Sequence, residues 1–357
     1  MQDIIKKIVE KINQNKEDSP EFLNSGYKTF QISEKNFHEI KKTISPSNPE
    51  RKLIFIDGGN LELIKAPNLS LFFNRVYYCI YEKNKRAKSK KYEFYTLITV
   101  ENKNSRLFFN AEVHQSKNSS DFNKTNEFIK SKEFIFEADD KTLSYGKNLV
   151  DISDIGNAAR KAMELEIASE LAEQKEAKDS ILVLDRNLEV KITHEDKIME
   201  KLYGNAEKNN VIVCALPKTS SLLTKNGNSV TALLNQIGQE SEWYYYPVAE
   251  SGSKEHKADI YFVKLSRKSN YVFRLDVYKE QKYEIDEILS LLAENSRDPV
   301  FPGYPYGLIE ADRFARVSNK EIEYLRMQLI VKLGRNAEKL KKYLAAQDAH
   351  SILDSVA

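Results

Sequence analysis

Residues Lys52–Ile64 read KLIFIDGGNLELI. An unbroken apolar, β-favouring run ends on Asp57, and Gly58 and Gly59 follow at once. Runs of this kind mark strands buried on both faces, as in the parallel centre of a sheet. Ser180–Asp185, SILVLD, repeats the pattern, and VIVCALPKTS (Val211–Ser220) supplies a third such strand. Asp57 and Asp185 each stand where a buried strand is expected to end. If the two strands are neighbours, both carboxylates emerge at one edge of the sheet. Like charges held close repel, and a divalent cation removes that penalty. Either aspartate taken alone is equally at home as a helix N-cap or turn residue.

The flanking chain defines the fold class. Residues 2–15 place Ile4, Ile5, Ile8, Val9 and Ile12 on one helical stripe. A second short helix is expected over Ser33–Thr43, and the turn-forming SPSNPER (Ser45–Arg51) delivers the chain into the first strand. NLSLFFNRVYYCIYE, KYEFYTLITVE and SRLFFNAEVHQ then read as an antiparallel meander. The character changes near Phe122. Asp151–Lys178 is rich in Ala, Glu, Leu and Lys and reads as a long helix. Strand, helix (HEDKIMEKLYGNAEKNN) and strand follow, with another helix from Val230. DIYFVKLS and YVFRLDVYK form a hairpin, and EIDEILSLLAENS a helix. PVFPGYPYGLIEADRFARVS begins as irregular backbone, and a charged helix runs from about Asn319 to Leu344. This order predicts an α/β protein with a mixed β-sheet flanked by helices. The expected division is an N-terminal helical extension over 1–50 and one large domain over 51–357.

Composition narrows the function classes. The 357 residues carry 55 Lys and Arg against 53 Asp and Glu, too balanced for a protein that coats nucleic acid by bulk charge. Basic residues lining one groove remain compatible with that balance. Cys79 and Cys214 sit inside apolar runs and read as buried small hydrophobes. Neither a secretory signal nor a membrane span is visible, which makes a cytoplasmic location the expectation. The five histidines show no HExxH pairing, and no GxxxxGK[ST] loop is present, so a histidine zinc site and a nucleotide-driven motor are both disfavoured.

Further candidates join the two aspartates. Glu164, Glu166 and Glu170 lie on the long helix, and Glu164 follows Arg160 by four residues, the spacing of a surface ion pair. Asp312 follows the Pro/Gly loop in LIEADRFARV, where it could equally pair with Arg313 or Arg316. Lys218, just after a strand, could meet a phosphate. Six of the nine residues Lys83–Lys91 are basic, a candidate finger on a phosphate backbone. WYYYP (Trp243–Pro247) offers aromatic rings for base stacking.

Taken in order, FIDGGN, ARKAMELEIA, LVLDRNL, LPKTS, YVFRLDV, GYPYGLIEADRFARV and the closing AHSILD resemble the NurA-type nucleases from about Lys52 to the C-terminus. The resemblance implies an RNase H-like core and a manganese-dependent nuclease acting on DNA as a 5′–3′ exonuclease and single-strand endonuclease. It also implies a ring-shaped homodimer working beside a HerA-type hexameric ATPase in double-strand-break end resection. The family's acids map onto Asp57, Glu164 and Asp185. Its final histidine position reads Asp312 here, and its usual serine after the first glycine is replaced. Asp57, Glu164, Asp185 and Asp312 are then the expected ligands of two Mn²⁺ or Mg²⁺ ions, with Lys218 as an electrostatic helper at the scissile phosphate. The competing expectations are a DNA clamp or helicase adaptor with decayed catalysis, and an RNase H-like enzyme acting on RNA.

Overall fold

A computed structural model describes residues 1–14, 22–23, 27–41, 51–116, 132–144, 146, 149–251 and 253–340. Helix α1 (Gln2–Gln14) opens the chain, followed by short strands β1 (Phe22–Leu23), β2 (Tyr27–Thr29) and β3 (Phe37–Glu39). The long strands β4 (Lys52–Ala66), β5 (Leu69–Glu82), β6 (Lys85–Lys103) and β7 (Arg106–Gln115) lead to β8 (Lys132–Glu137). Then come α2 (Ile152–Ala172), β9 (Ser180–Leu184), α3 (Glu195–Lys208), β10 (Ile212–Ala215), β11 (Leu223–Thr224) and α4 (Val230–Ile237). The last third holds β12 (Trp243–Tyr245), β13 (Ala249–Ser251), β14 (Ala258–Lys264), β15 (Phe273–Tyr278), α5 (Ile285–Asn295), α6 (Tyr306–Ala315) and α7 (Asn319–Leu333).

Eleven of these strands form one sheet in the order β3-β12-β14-β15-β10-β9-β4-β5-β6-β7-β8. β4 through β8 are the expected antiparallel meander. β9 returns beside β4 in parallel, and β10 lies parallel to β9. The central strands read as unbroken apolar runs because both faces are covered. Ile54 and Ile56 pack into the core under α2 and α3. Leu53 and Phe55 pack on the opposite face with residues of α5 and α6. The mixed β-sheet flanked by helices is the α/β architecture expected.

Several local expectations need correction. β4 does not end at Asp57. It continues to Ala66 paired with β5, while its parallel pairing with β9 stops at Ile56↔Leu184. Asp57 therefore stands where one neighbour ends, not where its own strand does. The described part of the stretch expected as a helix over Ser33–Thr43 is not α-helical. It holds a 3-10 turn, Glu34–Asn36, followed by β3, which pairs with β12. Contact of Phe37 with Trp243 and Tyr245, at 4.8 and 4.9 Å between ring centroids, overrides local helix propensity. Among the described residues before Lys52, only Gln2–Gln14 is α-helical. The last long helix is interrupted at Gly334, which adopts φ +52° and opens a 3-10 turn. The SPSNPER turn lies outside the described residues up to Glu50, the change of character near Phe122 lies wholly outside them, and so does the AHSILD stretch.

Candidate active site

The parallel register brings the two strand acids together. Asp57 and Asp185 each follow the last β4–β9 pair, Ile56↔Leu184, by one residue. Alternation along β4 sends Asp57 to the same face as Leu53 and Phe55, the face covered by α6. Asp312 stands on α6. Carboxylate oxygens of Asp57, Asp185 and Asp312 lie within 4.8 Å of one another. Lys218, three residues past the end of β10, bridges two of them, with Nζ 2.6 Å from Asp185 Oδ2 and 2.7 Å from Asp312 Oδ1. Tyr304 donates to Asp185 Oδ1 at 3.3 Å, and Arg316 holds Asp312 Oδ2 at 3.0 Å.

Glu164 approaches from the other face of β4. Arg160 Nη1 donates to Glu164 Oε2 at 2.8 Å and to the carbonyl of Gly58 at 2.7 Å. The i, i+4 pair expected on a solvated face is thus turned inward. Glu166 and Glu170 point elsewhere: Lys132 and Lys201 hold Glu166, and Lys201 also reaches Glu170. Asp57, Glu164 and Asp185 line a cleft of about 160 Å³ together with Arg160, Arg186 and Glu195. Arg186 and Glu195 form a buried bidentate pair at 2.7 and 3.0 Å that fixes the loop after Asp185.

The two glycines serve packing. A Cβ on Gly58 would lie 2.8 Å from Glu164 Oε2 and 2.9 Å from Arg160 Nη1. One on Gly59 would lie 2.5 Å from the Ala315 carbonyl at the end of α6. They let α2 and α6 close on β4 from both faces.

Charge in this cluster is poorly compensated. Burial, with the charges of Glu164 and Asp185, pushes the Asp57 carboxyl up to about 8, against the opposing pull of Lys218. Burial also raises Glu164 and Asp185. Asp312 goes the other way, because the Lys218 and Arg316 contacts outweigh its burial. Lys218 is raised, since its bonds to Asp185 and Asp312 outweigh its desolvation.

Two other sequence candidates stand differently from their expected use. In the β5–β6 hairpin Arg86 pairs with Glu310, Lys88 with Glu176 and Lys91 with Glu93, so at least three of the six cations in the basic run are engaged by the protein's own carboxylates. Trp243 and Tyr245 are buried at 2% and 0% exposure, which removes them as base-stacking rings. Arg160, Tyr304 and Arg316 were missed as site residues. The only signals were the helical spacing to Glu164, the GYPYG loop and the i, i+4 spacing to Asp312.

The helix-covered mixed sheet thus gathers carboxylates where the parallel β4–β9 pairing stops. A model of the NurA domain matches residues 51–317. The chain belongs to the NurA family of nucleases, which are phosphodiester hydrolases. Similar solved structures include the NurA nuclease from Sulfolobus solfataricus, at 13% identity over 93% of this chain and 95% of that one, TM-score 0.48. The catalytic domain of human endonuclease V aligns at 12% identity over 82% and 92% of the two chains, TM-score 0.37. Endonuclease V of Ciona intestinalis aligns at 11% identity over 77% and 87%, TM-score 0.36. No curated protein matches the chain significantly. Among the described residues no helix is long and apolar enough to cross a membrane.

Proposed function

We propose that this protein is a divalent-metal-dependent DNA nuclease whose catalytic centre comprises Asp57, Glu164, Asp185, Asp312 and Lys218. The observation that carries the reading is the convergence of three carboxylates from β4, the end of β9 and α6 within 4.8 Å. The donor set suits Mn²⁺ or Mg²⁺, because every donor is a hard carboxylate oxygen. Asp57, held near 8 despite the adjacent Lys218, marks a cluster still short of positive charge. Asp57, Asp185 and Asp312 would hold one ion, and Asp57 with Glu164 a second. Bound there, the ions supply charge neutralisation, a more acidic attacking water and stabilisation of the leaving 3′-oxygen.

The protein's own groups orient and balance this centre. Tyr304 fixes Asp185, Arg316 fixes Asp312, and Arg160 fixes both Glu164 and the backbone at Gly58. Lys218 spans Asp185 and Asp312 and would turn its charge toward a scissile phosphate. Family membership supports DNA as substrate, with 5′–3′ exonuclease and single-strand endonuclease action in end resection. It likewise supports a homodimer working with a HerA-type hexameric ATPase. Ile4, Ile5, Ile8 and Val9 of α1, 49–64% exposed, offer an apolar stripe for such a partner. The test is cleavage of labelled duplex DNA, single-stranded DNA and RNA with Mn²⁺, with and without EDTA. DNA cleavage abolished by EDTA is the expected result; metal-independent cleavage, or cleavage of RNA alone, would refute the assignment.

A further inference from the structure

A groove of about 990 Å³ lies outside the carboxylate cluster and is lined by Lys41, Arg267, Lys268, Arg297, Glu39 and Glu242 among others. It opens on the same edge of the sheet as the cluster. β9 and β10 run toward that edge and end at Leu184 and Ala215. β15, antiparallel to β10, begins there at Phe273, and β14 ends there at Lys264. Trp243 of β12 pairs with Lys264, and Glu39 of β3 pairs with Trp243. β14 is four strands from β4, roughly 20 Å at the usual spacing of neighbouring strands.

A chain of aromatic rings covers part of that interval. Tyr304, which donates to Asp185, lies 5.0 Å from Phe273 and 5.8 Å from Phe301 between centroids. Phe301 lies 5.0 Å from Tyr271, which is 55% exposed and follows the groove-lining Lys268 by three residues. The loop presenting these groups is held in place. Ser266 and Ser269 are buried and cap the backbone amides of Lys268 and Tyr271 at 3.2 and 3.1 Å. Gly303, at φ +94°, packs so closely on Ser269 that a Cβ there would come within 2.6 Å of it. Arg267, Lys268 and Arg297 are exposed and form no ion pair among the described residues, unlike the paired cations of the β5–β6 hairpin.

The geometry points to a track for single-stranded DNA: Arg267, Lys268 and Arg297 hold the phosphates and Tyr271 stacks a base, guiding the strand along the sheet edge to the carboxylates. Cations beside an exposed ring are what sequence-independent single-strand binding requires, since every base has a face to stack. Glu39 and Glu242 also line the groove. The track deepens the nuclease reading and rests on it for the direction of the strand.

The test measures binding and chemistry separately. Binding of a fluorescein-labelled oligothymidylate is followed by anisotropy in EDTA, for wild type, R267E/K268E, R297E and Y271A, with K208E at the opposite sheet edge as control. Hydrolysis of bis-p-nitrophenyl phosphate with Mn²⁺ reports the carboxylate centre alone. The groove variants should lose at least about tenfold in affinity and keep small-substrate hydrolysis. Combining the three charge reversals should flatten the salt dependence of log K by about 2, from ~0.7 per phosphate contact on a single strand. Unchanged affinity in the groove variants, or an equal loss in K208E, would overturn the track. Loss of RNA binding with DNA binding intact would overturn DNA as the occupant. Groove-dependent DNA binding in a wild-type protein that never hydrolyses the small substrate would sink the nuclease reading and leave the track standing.

Discussion

Asp57 and Asp185 stand level, each one residue past the last parallel pair Ile56↔Leu184, and their carboxylate oxygens come within 4.8 Å. Two acids so placed repel each other, a penalty that a bound cation would relieve. Replacing Asp57 by Asn should therefore abolish metal-dependent DNA cleavage and leave folding and DNA binding nearly intact. Melting in EDTA at pH 8 should show D57N at least as stable as wild type. A D57N protein that still cleaves with Mn²⁺ contradicts the role given to this residue.

The pH dependence of the metal-free protein follows from the same group. The Asp57 carboxyl is raised to about 8 in the fold, against about 3.9 in an unfolded chain. The folded state then binds more protons than the unfolded state between these values, so stability is fully present below the lower one and falls as pH rises toward 8. Glu164 and Asp185, also raised, act in the same direction. Denaturation in EDTA should show lower stability at pH 8 than at pH 5, with a shallower slope in D57N. Added Mn²⁺ should raise the melting temperature more at pH 8 than at pH 5.

Glu164 and Glu166 are two residues apart on α2 and differ in what they face. Glu164 is tied to Arg160 at the cleft, and Glu166 to Lys132 and Lys201. E164Q should eliminate activity, whereas E166Q should leave it within about twofold. Arg160→Met removes an orienting partner and should cost on the order of 10–100-fold in activity. Steady-state cleavage of one oligonucleotide by the three variants checks the order.

The glycines separate packing from chemistry. A Cβ on Gly59 meets the backbone carbonyl of Ala315, which cannot step aside, and G59A should lower stability by roughly 1–3 kcal/mol. A Cβ on Gly58 meets the ends of two side chains, Glu164 and Arg160. G58A should therefore cost less stability than G59A and more activity. Urea denaturation alongside the cleavage assay distinguishes the two effects.

What was legible in the sequence was what burial on both faces writes into it. β4, β9 and β10 read as apolar runs because helices cover each side, and the acids stood out because they end those runs. The choice among Glu164, Glu166 and Glu170 was not legible. Helical spacing gives their relative angles, but which angle faces β4 is fixed only by how α2 packs. β3 was hidden because its three residues become a strand only against Trp243 and Tyr245. The full length of β4 was hidden by Gly58 and Gly59, which break the pattern of a strand that β5 keeps intact. The groove was invisible because Lys41, Arg267 and Arg297 meet only through sheet order and loop packing.

The central claim, that these carboxylates form a metal centre, is tested most directly by anomalous diffraction at the manganese edge from crystals grown with Mn²⁺. The account predicts density enclosed by Asp57, Asp185 and Asp312, with Lys218 displaced from at least one of its two aspartates. Manganese bound only elsewhere, with Lys218 still spanning Asp185 and Asp312 in a preparation that cleaves DNA, would contradict it.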